Sequence, residues 1–132
     1  MKIAVVCNKA LQEDFLFKKM NNETAIVFVG RPEDIPGDAT VVFDLLFENK
    51  TERIALLRQY LPRPVIVNAV TATLAEIGEP FIRINAWPGF LRHEILEIAA
   101  SPAQHERVQT IFTRLGWKYR LVADIAGLVS AR

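Results

Sequence analysis

The chain has 132 residues, of which 51% are apolar and 23% charged. That is the length and balance of one folded domain rather than of a disordered chain. Lys plus Arg number 16 against 15 Asp plus Glu, a net charge of +1, and the signs are well mixed. This excludes the basic face that a phosphate backbone requires, so no nucleic-acid partner is expected. No apolar run approaches the roughly 20 residues of a membrane helix, and no membrane partner is expected. The start MKIAVVCNK is too short an apolar stretch for a secretory signal, and the single Cys7 excludes an internal disulfide or a Cys-based zinc site. A cytoplasmic protein without a bound metal is the expectation.

Along the chain, β-branched apolar runs alternate with helical patterns, and Pro or Gly punctuates the joins. Ile3-Ala4-Val5-Val6 is continuous rather than alternating, which predicts a strand buried on both faces. Leu11 to Met20 predicts a helix with Leu11, Phe15 and Leu16 inward, ended by Asn21-Asn22. Ala25-Ile26-Val27-Phe28-Val29 predicts a second buried strand, Gly30 to Asp38 a loop with at most one helical turn, and Val41-Val42-Phe43 a third strand. A helix over Thr51 to Leu61 turns Ile54, Leu57 and Leu61 to one side, with Asn49 or Thr51 as its cap and Pro62 and Pro64 as its stop. Val65-Ile66-Val67 predicts strand four, Thr73 to Ile77 a short helix, and Phe81-Ile82-Arg83-Ile84 strand five. Trp87-Pro88-Gly89 reads as a rigid turn. Ser101-Pro102-Ala103-Gln104 combines a capping-box spacing with proline at the first helical position. Val108, Ile111, Phe112 and Leu115 follow at helical spacing, and Gly116 stands where a left-handed cap is wanted. Tyr119 to Ala123 predicts strand six. The alternation implies a single α/β domain over residues 1–132, with a mostly parallel sheet of about six strands between two helical layers.

Ligands of such sheets collect outside the carboxyl ends of the strands. The residues just past each strand are therefore the candidates: Cys7-Asn8-Lys9, Gly30-Arg31, Asp44, Asn68, Asn85 and Asp124. The loop after strand one reads CNKALQ, with neither a GxGxxG nor a phosphate-loop pattern. Cys7 is either a thiol activated by a helix N-terminus or a small buried apolar residue. His93 and His105 lack metal-ligand spacing, and His105 falls on the polar, solvated side of its helix. Glu97, amid Ile95, Leu96 and Ile98, is either a buried carboxylate or the wet side of an amphipathic segment.

Four segments keep the order and spacing of a known pattern. LGWKYRLVADIAGLVSAR carries a Leu-Gly, a buried strand, then Asp124, Gly127 and Arg132. FIRINAWPGFLRHEILEIAASP holds Asn85 and Glu97. VVFDLLFENKTERIALLRQYL holds the pair Glu48-Asn49, and VIVNAVTATLAEIG the run Asn68-Ala69-Val70-Thr71. From Val41 to Arg132 the chain resembles the NAD-binding, Rossmann-like domain of the 3-hydroxyacyl-CoA dehydrogenases. The resemblance places the family's catalytic histidine on Asn85 and its orienting glutamate on Glu97. Its three loop glycines fall on Cys7, Lys9 and Gln12, and its ribose-binding acid on Gly30. Arg31, next to it, is of the type that accepts a 2′-phosphate. Glu48 is retained, the lysine five positions later is Arg53, and Asn68 opens a run that has lost its substrate-facing hydroxyl. The plain alternative for Glu48 and Arg53 is a surface ion pair. The family's helical domain would begin after Arg132.

Asparagine cannot take a hydroxyl proton near neutral pH, and side chains at Lys9 and Gln12 fill the volume a pyrophosphate needs. The resemblance with these departures implies a trimmed, degenerate and non-catalytic relative, without a cofactor, that binds a small-molecule ligand or a partner. The alternative is an NAD- or NADP-dependent oxidoreductase acting on a 3-hydroxyacyl-type substrate and completed by oligomerisation. A third reading is an unrelated enzyme using Cys7 or Asp124. A homodimer burying Trp87, Phe90 and Leu91 is expected, against the option that these side chains fold back into the core.

Overall fold

The computed structural model describes residues 1–17, 24–86 and 95–125. In chain order the elements are β1 (Lys2–Val6), α1 (Lys9–Phe17), β2 (Ala25–Val29), β3 (Val41–Asp44), α2 (Thr51–Arg58), β4 (Val65–Asn68), α3 (Leu74–Ile77), β5 (Ile82–Ile84), β6 (Leu96–Ala99), α4 (His105–Leu115) and β7 (Tyr119–Leu121). Single 3-10 turns at Pro32–Asp34 and Pro102–Gln104 complete the path. The expectations placed on Asn21-Asn22, on Trp87 to Leu91, on His93 and on Gly127 and Arg132 lie outside the described residues.

Among the described residues the sheet has seven strands in the order β2-β1-β3-β4-β5-β6-β7, one more than the sequence reading. The added strand is β6, whose run LEIA carries a charge that masks its strand character. β1 to β5 are parallel; β6 pairs antiparallel with β5, and β7 runs parallel to β6. β6 and β7 therefore run against the other five, so Asp124 does not share a rim with the other strand ends.

Alternate residues of the central strands feed two cores. Ile3, Val5, Phe43, Ile66 and Ile84 pack under α1 and α4 with Phe15, Val108, Ile111, Phe112 and Trp117. Ala4, Val6, Val42, Val65 and Val67 pack under α2 and α3 with Leu57, Leu74 and Ile77. Edge-on rings tie the first core together, with Phe15 5.4 Å from Phe43 and 4.9 Å from Trp117. Full burial of side chains this size stabilises by about 1.5–3 kcal/mol each, so the continuous apolar runs explain the three layers.

Helix boundaries follow local chemistry. α1 starts two residues earlier than its apolar pattern because Asn8 Oδ1 accepts the Leu11 N–H at 2.9 Å, an N-terminal cap. α2 begins after Lys50 without a side-chain cap, so neither Asn49 nor Thr51 plays that part. Ser101 likewise makes no capping bond; its proline starts a 3-10 turn that runs into α4. Gly116 closes α4 at φ 73°, the left-handed conformation expected of it. His105 is half-buried rather than solvated, and its Nε2 lies 3.1 Å from Ala100 O. No helix among the described residues is long and apolar enough to cross a membrane.

Candidate functional site

The strand order reverses at β1, which has β2 on one side and β3 on the other. The carboxyl ends of β1, β3 and β4 thus border the crevice where parallel sheets collect ligands. Backbone pairing continues past β1: Cys7 N donates to Val29 O at 3.0 Å and Leu45 N to Val6 O at 2.9 Å. This pins Cys7 under the rim, 6% exposed. Burial pushes its thiol up, which opposes the activated-thiol reading. Lys9 opens α1 and is exposed, while Gln12 is half-buried. Gly30 is exposed with nothing within 4 Å of where a Cβ would stand, and Arg31 reaches its neighbour Asp34 at 3.2 Å.

Glu48 and Arg53 do not form the surface pair considered for them. Glu48 pairs with Lys50 at 2.9 Å. Arg53 instead clamps Asp44 with two bonds, Nε to Oδ2 at 2.7 Å and a terminal nitrogen to Oδ1 at 2.8 Å. Asp44 is fully buried at the end of β3 and also accepts the Leu46 N–H at 3.0 Å. Burial pushes its carboxyl up, ahead of the lowering by Arg53. Asn68 imitates a strand residue, accepting the Ala86 N–H and donating to Ala86 O, both at 2.8 Å.

Clefts open at this rim among the described residues. One of about 440 Å³ runs between Phe47–Lys50 and Asn68–Ala72, and so brings Glu48 and Asn68 together. A smaller one of about 230 Å³ lies against Glu48, Lys50, Glu52, Arg53 and Leu56. A larger hollow of about 600 Å³ lies elsewhere, against Met1, Thr40, Pro64 and α4, and holds none of the residues singled out from the sequence.

Asn85 and Glu97 face each other across β5 and β6. Asn85 Nδ2 donates to Glu97 Oε1 at 3.3 Å, and Glu97, 3% exposed, is the buried carboxylate of the two readings. Its other oxygen accepts from Arg120 at 2.9 Å. Asn85 Oδ1 accepts from Arg83 at 3.1 Å. Arg83, 1% exposed, also donates to Ala69 O and to Val70 O, and lies 3.5 Å from Asp124 Oδ1. Asp124 in turn accepts the Leu74 N–H at 2.7 Å and the Ala75 N–H at 3.1 Å, capping α3 from fifty and forty-nine residues away in sequence. A polar chain so runs from Arg120 through Glu97, the neutral Asn85 and Arg83 to Asp124. Burial pushes the Arg83 guanidinium down, while Asp124 acts to raise it.

Arg83 and Arg120 escaped the sequence reading. The available signal for Arg83 was a single charge inside the otherwise apolar strand run Phe81-Ile82-Arg83-Ile84. A buried guanidinium needs a carboxylate and carbonyl acceptors, so it points to a polar cluster on that face. Asp44 was visible only as a strand-end residue.

No protein-family model matches the chain, and no curated protein matches it in sequence. Solved structures do. The 5-formyl-3-hydroxy-2-methylpyridine 4-carboxylic acid 5-dehydrogenase, an NAD+-dependent dismutase, superposes with TM-score 0.70 at 14% identity, over 99% of this chain and 60% of that one. The 3-hydroxyacyl-CoA dehydrogenase of Archaeoglobus fulgidus gives 0.64 at 15% identity, over 99% and 58%. The (S)-3-hydroxybutyryl-CoA dehydrogenase of Ralstonia eutropha gives 0.59 at 18%, over 79% and 42%. The chain thus spans between two fifths and three fifths of the length of these proteins. At such identities the likeness is one of fold: the domain is Rossmann-like, of the kind these dehydrogenases contain.

Proposed function

We propose that the chain is a non-catalytic relative of the 3-hydroxyacyl-CoA dehydrogenase NAD-binding domain, which takes a small ligand in the cleft between Phe47–Lys50 and Asn68–Ala72. The start of α1 carries this reading. A dinucleotide needs free backbone N–H groups and bare glycine backbone at that helix terminus. Here Asn8 Oδ1 already holds the Leu11 N–H, and Cys7, Lys9 and Gln12 bring side chains to the positions where glycines would be wanted. The residues present do not fit the cofactor. Asn85 supports the same conclusion: its carboxamide accepts from Arg83 and donates to Glu97, and it offers no basic atom to take a hydroxyl proton. The opposed charges of Glu48 and Lys50 favour a ligand that is neutral overall.

Thermal-shift and calorimetric titrations of the purified protein with NAD, NADP and acetoacetyl-CoA at near-millimolar concentration test the reading. A ligand bound by the folded state alone raises the melting temperature. No shift is expected from any of the three. A rise with either nucleotide, or oxidation of NADH in the presence of acetoacetyl-CoA, would overturn the reading in favour of a working oxidoreductase.

A further inference from the structure

The sheet ends in two unlike edges. β7 is three residues long with the charged, half-exposed Arg120 at its centre, and short charged edges are protected against pairing. β2 is the opposite: five consecutive apolar residues, AIVFV, without a charge, a proline or a bulge. A full doubly-wound half places a further strand beyond this one. Here the chain leaves β2 through Gly30, makes one 3-10 turn and enters β3 at Val41, and among the described residues no such strand is formed.

The backbone of β2 is paired on its inner side. Ala25 N donates to Met1 O at 3.3 Å, and Val29 O accepts from Cys7 N at 3.0 Å. Residues 25, 27 and 29 therefore direct their polar groups to β1, and Ile26 and Phe28 direct theirs outward. Among the described residues nothing pairs with those outward groups. The side chains divide in the same way: Ile26 and Phe28 lie half-buried at the rim of one core, Val27 and Val29 at the rim of the other.

We infer that β2 is an interface on which a second copy of this chain adds its own β2, antiparallel, about a twofold axis through Val27. This register overlaps all five residues. Ile26 of one copy exchanges main-chain bonds with Phe28 of the other and the reverse, about four bonds in all. Val27 meets its own counterpart as a non-hydrogen-bonded pair. Each face of the sheet continues into the same face of the second copy, so both exposed core rims are covered at once. A homologous uncharged strand suits a copy of itself better than a charged partner, and a twofold closes the assembly at two chains.

Sedimentation and cross-linking test the inference on the intact chain. The native protein is expected to sediment as a dimer at high micromolar concentration. Non-hydrogen-bonded antiparallel pairs bring Cα atoms to about 4.5 Å, within the reach of a disulfide. Val27→Cys should therefore convert largely to a covalent dimer under mild oxidation. Ala25→Cys, which faces residue 29 of the second copy, should not. Val27→Lys, with two ammonium groups meeting on the axis, should give a monomer whose circular dichroism is unchanged. A native monomer at high micromolar concentration would overturn the inference. So would a dimer in which Val27→Cys cross-links no better than Ala25→Cys, since that dimer would use another surface.

Discussion

At the scale of single residues, the site is governed by which polar groups the fold buries and with what partner. Asp44 is fully buried and held by both arms of Arg53. Removing one partner of such a pair leaves an uncompensated buried charge, which costs about 3–5 kcal/mol. Arg53→Ala should therefore lower stability at neutral pH by about 3 kcal/mol in urea unfolding. The sign of the pH dependence follows from the carboxyl, which burial already pushes up. Its folded pKa lies above its unfolded one, so the folded state binds the extra proton. Stability is then gained as pH falls through the folded value and is complete below the unfolded value. The deficit of Arg53→Ala should narrow on acidification across that window, and a deficit that widened would contradict the assignment. Cys7 shows the same control by burial: at the end of β1 its thiol is a small core group.

At the scale of elements, the four-residue α3 is too short to stand by itself. Thr73 accepts the Glu76 N–H at 3.3 Å, and Asp124 supplies two further bonds from beyond β7. Because Asp124 also faces Arg83, one carboxylate links the start of α3 to the polar chain beneath the sheet. Asp124→Ala should lower stability by about 2 kcal/mol, combining a lost cap with a weakened partner for a buried guanidinium. It should also strip hydrogen-exchange protection from the Leu74 and Ala75 amides, while Asp124→Asn, keeping one acceptor, recovers part of both. Unchanged protection at these amides would refute the latch. The element β6 is what sequence reading lost: the sequence leaves Glu97 open between a buried carboxylate and the wet side of a segment, and Arg120 and Asn85 beside it decide for burial.

At the scale of the molecule, β1, β3 and β4 supply alternate residues to both cores, so neither core can open alone. Unfolding should be a single transition. In a Trp87→Phe background, Trp117 fluorescence reports the α1–α4 side and far-ultraviolet circular dichroism reports the whole. The two melting curves should coincide, and separated midpoints would show that the layers unfold independently. The same two-core construction leaves the β2 edge with both rims half-covered, which is the basis of the twofold pairing inferred above.

Apolar continuity in AVV, VVF and VIV by itself determined strands buried on two faces. In AIVFV the same signal determined a strand but not its place at the half-exposed edge of the sheet. Helical periodicity with Pro and Gly stops determined most of the elements between them. These signals are local, carried within one turn or one strand. The loop CNKALQ and the asparagine at 85 were equally legible, because they are statements about residue type. Tertiary structure alone decided the pairings. Arg53 chose Asp44 rather than Glu48, Asp124 capped a helix fifty residues earlier, and Arg83 found its acceptors across three elements. Buried polar groups are satisfied by whatever the fold brings within about 3 Å, and that distance depends on chain crossings no local pattern records.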